Sequence, residues 1–198
     1  MEGTLQFVFG SRTGDRWRFA IEFEAYLLPD GRRPRLWNEW WGALWLWVNG
    51  QLVGDTAQIE TVMNDLGSLH TDAMFTGRQS DLLSSRSAKE ALDIARWSVY
   101  GNDDENMRKI VGDRNLEEFE ILPRGKAFFD GWEAILLENG NEEHFIYRRR
   151  GEEVVDVAWP IGTFRDVVNR AKDEFENMAK SHLIGGNAAW FATRKSMP

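Results

Sequence analysis

The chain has 198 residues, with 24 Lys and Arg against 32 Asp and Glu, a formal net charge of −8 and no cysteine. This length is enough for one domain with its own core, and the acidic balance disfavours nucleic-acid binding, which needs a basic surface. The absence of cysteine excludes disulfide frameworks, thiolate metal sites and cysteine nucleophiles. No apolar run approaches a membrane span and no signal peptide is recognisable, so we expect a cytoplasmic protein.

The first 28 residues are predicted to form two strands. Residues 5–9 are apolar enough for a strand, and residues 10–15 have the composition of a turn. Residues 17–28 then alternate between apolar and polar, as in an antiparallel strand with one buried face. The positions predicted to face the core are Trp17, Phe19, Ile21, Phe23, Ala25 and Leu27, opposite Arg18, Glu22 and Glu24.

The next segment is rich in tryptophan, since residues 37–47 hold five of the ten in the chain. Residues 41–48 are almost all apolar, which predicts a central strand with both faces covered. Asn49 and Gly50 predict a two-residue type I′ turn, because both central positions of that turn need positive φ. Residues 51–53 would form a short return strand.

The middle of the chain changes to a helical period. A capping pattern and apolar spacing predict a helix over residues 55–66 that stops at Gly67, followed by a loop over residues 70–83. A Ser-x-x-Glu capping box predicts a second helix over residues 87–97. Residues 101–106 read as a polar, acidic loop.

The last third returns to strands. Residues 119–122, 132–138, 144–149 and 154–159 are predicted strands, with a hairpin signal at Asn139-Gly140-Asn141. Thr163 and Asp166 are predicted to cap the last helix. Its apolar stripe is Phe164, Val167, Val168, Ala171, Phe175 and Met178.

The predicted elements are segregated into strands, helices, strands and a helix, which favours an α+β fold with a largely antiparallel sheet. We predict a single domain over residues 1–179 with helices packed on that sheet. Residues 180–198 would form a C-terminal tail.

No residue pattern predicts catalysis, a metal site or a cofactor. His70, His144 and His182 have no partner histidine at metal-ligand spacing. Neither a nucleophile elbow nor a phosphate-binding glycine loop occurs. The acidic runs are best explained as solvated loops.

Tryptophan buries a large area yet keeps one N–H group to satisfy, so its placement is informative. Trp45 and Trp47 lie mid-strand and are predicted core residues, as are Trp17, Trp132 and Trp159. Trp37 and Trp40 flank Asn38 and Glu39 at a predicted strand end. They fit either core packing or the aromatic anchors of an interface.

Five segments of the chain resemble the Imm42 family of bacterial immunity proteins. They are FVFG, WRFAIEFE, WGALWLWVNGQLVGD, FFDGWEAILLENGNEEHFIYR and VAWPIGTFRDVV, between Phe7 and Ala171. The resemblance implies a bacterial protein that binds and neutralises a cognate toxin, of the contact-dependent or type VI kind, without catalysis and without a cofactor. Such proteins occlude the toxin's active site or substrate-binding face, or hold the toxin inactive. An acidic chain suits a basic toxin domain that acts in the cytoplasm.

The resemblance brings no contact residues with it, so these are chosen for charge and aromatic character. The candidates are Trp37, Glu39, Trp40, Asp72, Asp103, Asp104 and Glu105. On this interpretation Trp45→Ala destabilises the domain. Trp40→Ala leaves stability nearly intact and weakens binding of the partner. Two other functions stay open, a small-molecule enzyme or ligand-binding domain with a tryptophan-lined pocket, and an adaptor that loads an effector for secretion.

Overall fold

The computed structural model describes residues 5–27, 31–55, 57–101, 103–122 and 127–183. The first sheet has the order β1 (Phe7–Asp15), β2 (Phe19–Tyr26), β3 (Trp41–Val48) and β4 (Gln51–Val53), with β5 (Glu60–Thr61) also paired to β3. The second sheet has the order β6 (Trp132–Asn139), β7 (Glu142–Arg149) and β8 (Val155–Pro160). The helices are α1 (Val62–Ala73), α2 (Asp81–Ser84), α3 (Ala88–Tyr100), α4 (Glu105–Val111) and α5 (Thr163–Ser181). All pairings between these strands are antiparallel, which confirms the α+β prediction.

The tryptophan-rich segment forms the predicted strand and turn, although Trp41 remains exposed on one face of the strand. β3 lies inside the first sheet, and the turn to β4 has φ of 49° at Asn49 and 77° at Gly50. Positive φ at both positions is the geometry of a type I′ turn, which Asn-Gly adopts at little cost.

The predicted turn over residues 10–15 is wrong, because β1 runs on through Asp15. Every residue of that stretch pairs with β2, from Gly10 opposite Glu24 to Asp15 opposite Phe19. Gly10 serves close strand approach here, since a Cβ at this position would lie 2.7 Å from the carbonyl oxygen of Phe23. Pairing along the strand therefore overrides the local turn composition.

One face of the first sheet carries the main core. The face with Phe19, Ile21 and Phe23 packs on α5, where Phe175 lies 5.3 Å from Phe23 between ring centroids. The buried stripe of α5 is Phe164, Val167, Val168, Ala171, Phe175 and Ala179, close to its predicted pattern. The second sheet joins this core, since the rings of Phe19 and Trp159 stack at 5.2 Å.

The second sheet is covered on both faces. Ala134 and Leu136 face the main core, whereas Ile135 and Leu137 belong to a second core beneath α2, α3 and α4. This split follows from the strand predicted over residues 132–138, because successive side chains of a strand point to opposite faces. It makes the second sheet the wall between two cores.

The predictions for the middle of the chain were partly wrong. The helix begins at Val62 and passes through Gly67 to Ala73, because its buried stripe outweighs the cost of one glycine. Residues 119–122 form no strand; the 3-10 helix Glu117–Phe119 is followed by a single bridge from Glu120 to Ile135. The capping box at the start of α3 is confirmed.

The start of α5 is capped from a distance and not by Thr163. The carboxylate of Glu143 in β7 accepts hydrogen bonds from the backbone N–H of Phe164 at 2.6 Å and of Gly162 at 3.0 Å, and from Trp159 Nε1 at 2.5 Å. Burial raises the pKa of Glu143, and these donors act against that shift.

At the other end α5 includes residues 180 and 181, whereas residues 184–198 of the predicted tail lie outside the described residues.

Candidate functional site

The second face of the first sheet is an aromatic surface, which we call the tryptophan face. The register places Tyr26 beside Trp41, Glu22 beside Trp45, and Ala20 beside Trp47 on this face. The helices α1 and α5 pack against the opposite face. The tryptophan face consists of Phe7, Arg12, Arg16, Trp17, Glu22, Glu24, Tyr26, Trp41, Trp45 and Trp47.

Several large rings on this face remain open to solvent. Trp17 is 69% exposed, Phe7 55% and Trp41 43%. By contrast, Trp45 is buried, beside Gly54 and the 3-10 helix Ala127–Phe129. Single exposed apolar side chains are ordinary, but several on one face mark an interaction surface.

At the β1–β2 turn, the tryptophan face holds an arginine between two indoles. The Arg16 guanidinium carbon lies 5.2 Å from the ring centroid of Trp17 and 4.6 Å from that of Trp47. Trp47 Nε1 donates to Glu22 Oε2 at 2.6 Å, and Arg12 Nη1 lies 3.4 Å from the same oxygen. These contacts fix Trp47 and Glu22 in a partly buried group of two guanidinium groups and one carboxylate.

At the opposite end, an aromatic row crosses the first three strands. Phe7 lies opposite Tyr26 with ring centroids 6.3 Å apart in an edge-to-face arrangement, and Tyr26 lies opposite Trp41. The Tyr26 hydroxyl donates to Glu24 Oε2. Burial, followed by the hydrogen bond to Glu24, raises the pKa of Tyr26 to about 12, so its hydroxyl remains a donor.

This combination of groups suits contact with a protein. Trp, Tyr and Arg are the residues most enriched among interface hot spots, because they offer large area with few rotatable bonds and polar tips. Carboxylates beside these rings add orientation and charge selectivity. The tryptophan face is therefore the candidate interface.

The predicted candidates near β3 have structural partners within the chain. Trp40 is fully buried, its Nε1 donates to Ala179 O at 3.3 Å, and it lies 5.0 Å from the Phe9 ring. Of the two alternatives predicted for Trp40, the structure shows core packing, because the loop before β3 folds over the C-terminal end of α5. Trp37 is half-buried with Lys180 Nζ 5.1 Å from its ring centroid, and Glu39 accepts hydrogen bonds from the backbone of its own loop.

The predicted acidic candidates lie in two other parts of the fold. Asp72 is half-buried in the last turn of α1, so its placement in a loop was wrong. Asp104 caps α4 by accepting from the N–H of Asn106 at 2.9 Å. Asp103 and Glu105 flank it and are exposed. The acids and the loop tryptophans therefore lie in different parts of the fold and do not form one surface.

No residue of the tryptophan face was among the sequence-based candidates. Trp17 was predicted to face the core, yet it lies in the turn between β1 and β2. A signal was present, because Glu22 and Glu24 alternate with the core residues of β2 while β3 is apolar on both sides. Such a pairing puts acids and tryptophans on one face.

Two clefts formed by described residues have volumes of about 190 and 120 Å³. Both are smaller than the pockets that usually bury small molecules, and no tryptophan lines either one. Within the described ranges, no group of three or more His, Asp or Glu side chains is placed to hold a metal ion. Among the helices of that part of the chain, none is long and apolar enough to cross a membrane.

Comparison with known proteins gives a family and a fold. The family described as Immunity protein 42, Imm42, matches residues 12–174, and no curated protein matches the sequence. The crystal structure of CdiI from Burkholderia dolosa AUO158 has a similar fold, with a TM-score of 0.60 and 17% identity over 83% of this chain and 99% of CdiI. Because the family match spans most of the chain, including the tryptophan face from Arg12 onward, the chain belongs to the Imm42 family of immunity proteins.

Proposed function

We propose that this immunity protein binds a cognate toxin domain through the tryptophan face and neutralises it by occlusion, without catalysis. The observation that carries the proposal is a face of Trp, Tyr, Arg and Glu that leaves Phe7, Trp17 and Trp41 exposed, on a member of an immunity protein family. Covering the toxin's active site or substrate-binding face needs only affinity and shape. The tryptophan face supplies the rings that most often provide affinity.

The proposed partner is basic and meets this chain in the cytoplasm. A net charge of −8 favours rapid encounter with a positively charged surface. We propose that the exposed acids Asp103 and Glu105 take part in this encounter. Asp72 and the loop residues Trp37 and Glu39 take part as well. Asp104 caps α4, and its negative charge also contributes to the encounter with the partner.

The first experiment is co-purification with the C-terminal toxin domain of any effector encoded next to this gene, together with rescue of cells that express that domain. We expect a stable complex and full rescue by the unchanged chain. If the two proteins form no complex and the toxin's effect is not rescued, the proposed function is wrong. Binding to the N-terminal region of the effector, without rescue, would instead indicate a loading adaptor.

A second experiment tests the surface. The double variant Trp17→Ala with Trp41→Ala removes two exposed rings from the tryptophan face, and we expect it to weaken binding at least about a hundredfold. Met74→Ala is the matched control, because Met74 is an exposed apolar side chain at the end of α1. If the double variant and the control bind with equal affinity, the interface does not lie on the tryptophan face.

A further inference from the structure

We infer that one end of the tryptophan face is a receptor for a cationic side chain of the toxin, an arginine or a lysine. Its components are the rings of Phe7, Tyr26 and Trp41 and the carboxylate of Glu24, which we call the cation site. The inference rests on the proposed function and adds the chemistry of the partner group.

The geometry places aromatic rings and a carboxylate close together. Phe7, Tyr26 and Trp41 are cross-strand neighbours on β1, β2 and β3. Glu24 lies in the next row, where Gly10 leaves room: a Cβ on Gly10 would be 3.2 Å from Glu24 Cγ and 3.2 Å from Phe7 Cε2. The Tyr26 hydroxyl donates to one oxygen of Glu24 and so orients the carboxylate within this ring cluster.

The same chain shows what such a combination binds. At the turn end of this face, Arg16 lies over Trp17 and Trp47, while Glu22 accepts from Trp47 Nε1 and pairs with Arg12. Rings attract a cation through their quadrupole, and a carboxylate adds a charge-assisted hydrogen bond. A group of tryptophan rings and a glutamate on this sheet is therefore already filled by guanidinium groups.

The cation site also combines aromatic rings with a glutamate, but no cation of the described residues occupies it. Among the residues that the structure describes, no lysine or arginine lies over Phe7, Tyr26 or Trp41, and none forms an ion pair with Glu24. A carboxylate has about four acceptor positions, of which the Tyr26 hydroxyl fills one. The site can thus accept further donors from a partner.

The chemistry of the site selects among possible partner groups. An anionic group would meet the charge of Glu24 and the negative faces of the rings. An apolar group would cover the carboxylate and leave it without compensation, which is costly. A guanidinium or ammonium group satisfies the carboxylate and the rings together, and it matches a basic toxin.

The test compares the affinities of Glu24→Gln and Glu152→Gln for the toxin domain identified by co-purification. Glu152 is an exposed acid in the β7–β8 turn, so its variant changes the net charge equally. We expect Glu24→Gln to raise the Kd about tenfold or more and to reduce its salt dependence, whereas Glu152→Gln changes the Kd less than twofold. Unfolding of the two variants is compared by circular dichroism, with equal midpoints expected.

A double-mutant cycle then identifies the partner group. Each arginine and lysine of the toxin domain is replaced by alanine and combined with Glu24→Gln. We expect one of them to show a coupling of about tenfold with Glu24, and the same one to couple with Trp41→Ala. Equal Kd values for the two glutamine variants, or no coupling with any basic residue, would overturn the cation site and leave the proposed function standing. Failure of the unchanged chain to bind would overturn both.

Discussion

At the scale of single residues, Trp40 and Trp41 show how one step along the chain separates fold from function. Trp40 lies inside the main core with its indole N–H bonded to Ala179 O, whereas Trp41 is the first residue of β3 and points to the open face. Adjacent side chains of an extended segment point to opposite sides. The sequence showed two neighbouring tryptophans; only the position of α5 decided which one is buried.

Trp40→Ala should lower the free energy of unfolding by about 3–5 kcal/mol, because it leaves a large cavity and removes the buried hydrogen bond from Trp40 Nε1 to Ala179 O. Urea unfolding followed by circular dichroism measures the change. Trp17→Ala is the control, since Trp17 is mostly exposed, and should cost about 1 kcal/mol or less. Equal costs for the two variants would mean that Trp40 does not anchor the end of α5.

At the scale of elements, α5 connects most parts of the fold. Glu143 of β7 caps its start, and Glu174 in its middle accepts hydrogen bonds from Ser11 Oγ and Thr13 Oγ1 of β1 at 2.5 Å each. Near its end, Glu176 accepts from Lys172 Nζ at 2.7 Å and Lys180 Nζ at 2.9 Å. The apolar stripe could be predicted from spacing. The cap and the serine and threonine contacts could not, because their partners are distant in sequence.

The stability from Glu176 should depend on pH. Burial alone would raise the pKa of Glu176, but the hydrogen bonds from Lys172 and Lys180 outweigh it and hold the pKa below its usual value. Since the folded pKa is the lower one, the contribution is complete above the unfolded pKa of about 4.3 and is lost as the pH falls through the folded pKa.

Glu176→Gln should therefore cost about 0.5–1 kcal/mol near neutral pH and nothing once the folded carboxyl is protonated. Urea unfolding of both chains across the acid range measures the difference. Asp173→Asn, at an exposed position of the same helix, controls for loss of a surface charge. A difference that stays constant down to the lowest pH would contradict the ion-pair explanation.

At the scale of the whole molecule, a polar network fastens α3 and the second core to the second sheet. Glu133 Oε1 lies 3.2 Å from Arg96 Nη2, and Glu133 Oε2 lies 2.7 Å from Arg148 Nε. Arg148 also pairs with Asp93 of α3 at 2.8 Å. Glu133 is buried, so its charge is shared between two cations in a poorly hydrated place.

Glu133→Gln should destabilise the fold by about 2–3 kcal/mol, because it leaves two guanidinium groups without their central anion. Chemical unfolding measures this cost. Lys89→Ala is the control, since Lys89 forms a largely exposed pair with Asp93, and should change stability by less than about 0.5 kcal/mol. A small effect of Glu133→Gln would show that the apolar part of the second core holds α3 in place unaided.

The sequence by itself determined the elements with strong periodicity or turn chemistry. The strand and turn through Asn49 and Gly50, the alternation of β2 and β6, the capping box of α3 and the stripe of α5 depend on neighbours a few residues away. So does the α+β class, which follows from their order. Local physics is visible in local sequence.

Only the tertiary structure decided which surfaces remain open. The second apolar face of β3 looks like core in sequence, but α1 and α5 cover one side of the sheet and leave Trp41 exposed on the other. Trp40, chosen as a contact, packs in the core, whereas Asp104 caps α4 and remains exposed. Exposure is settled by which distant elements pack together, and a single residue's type does not carry that information.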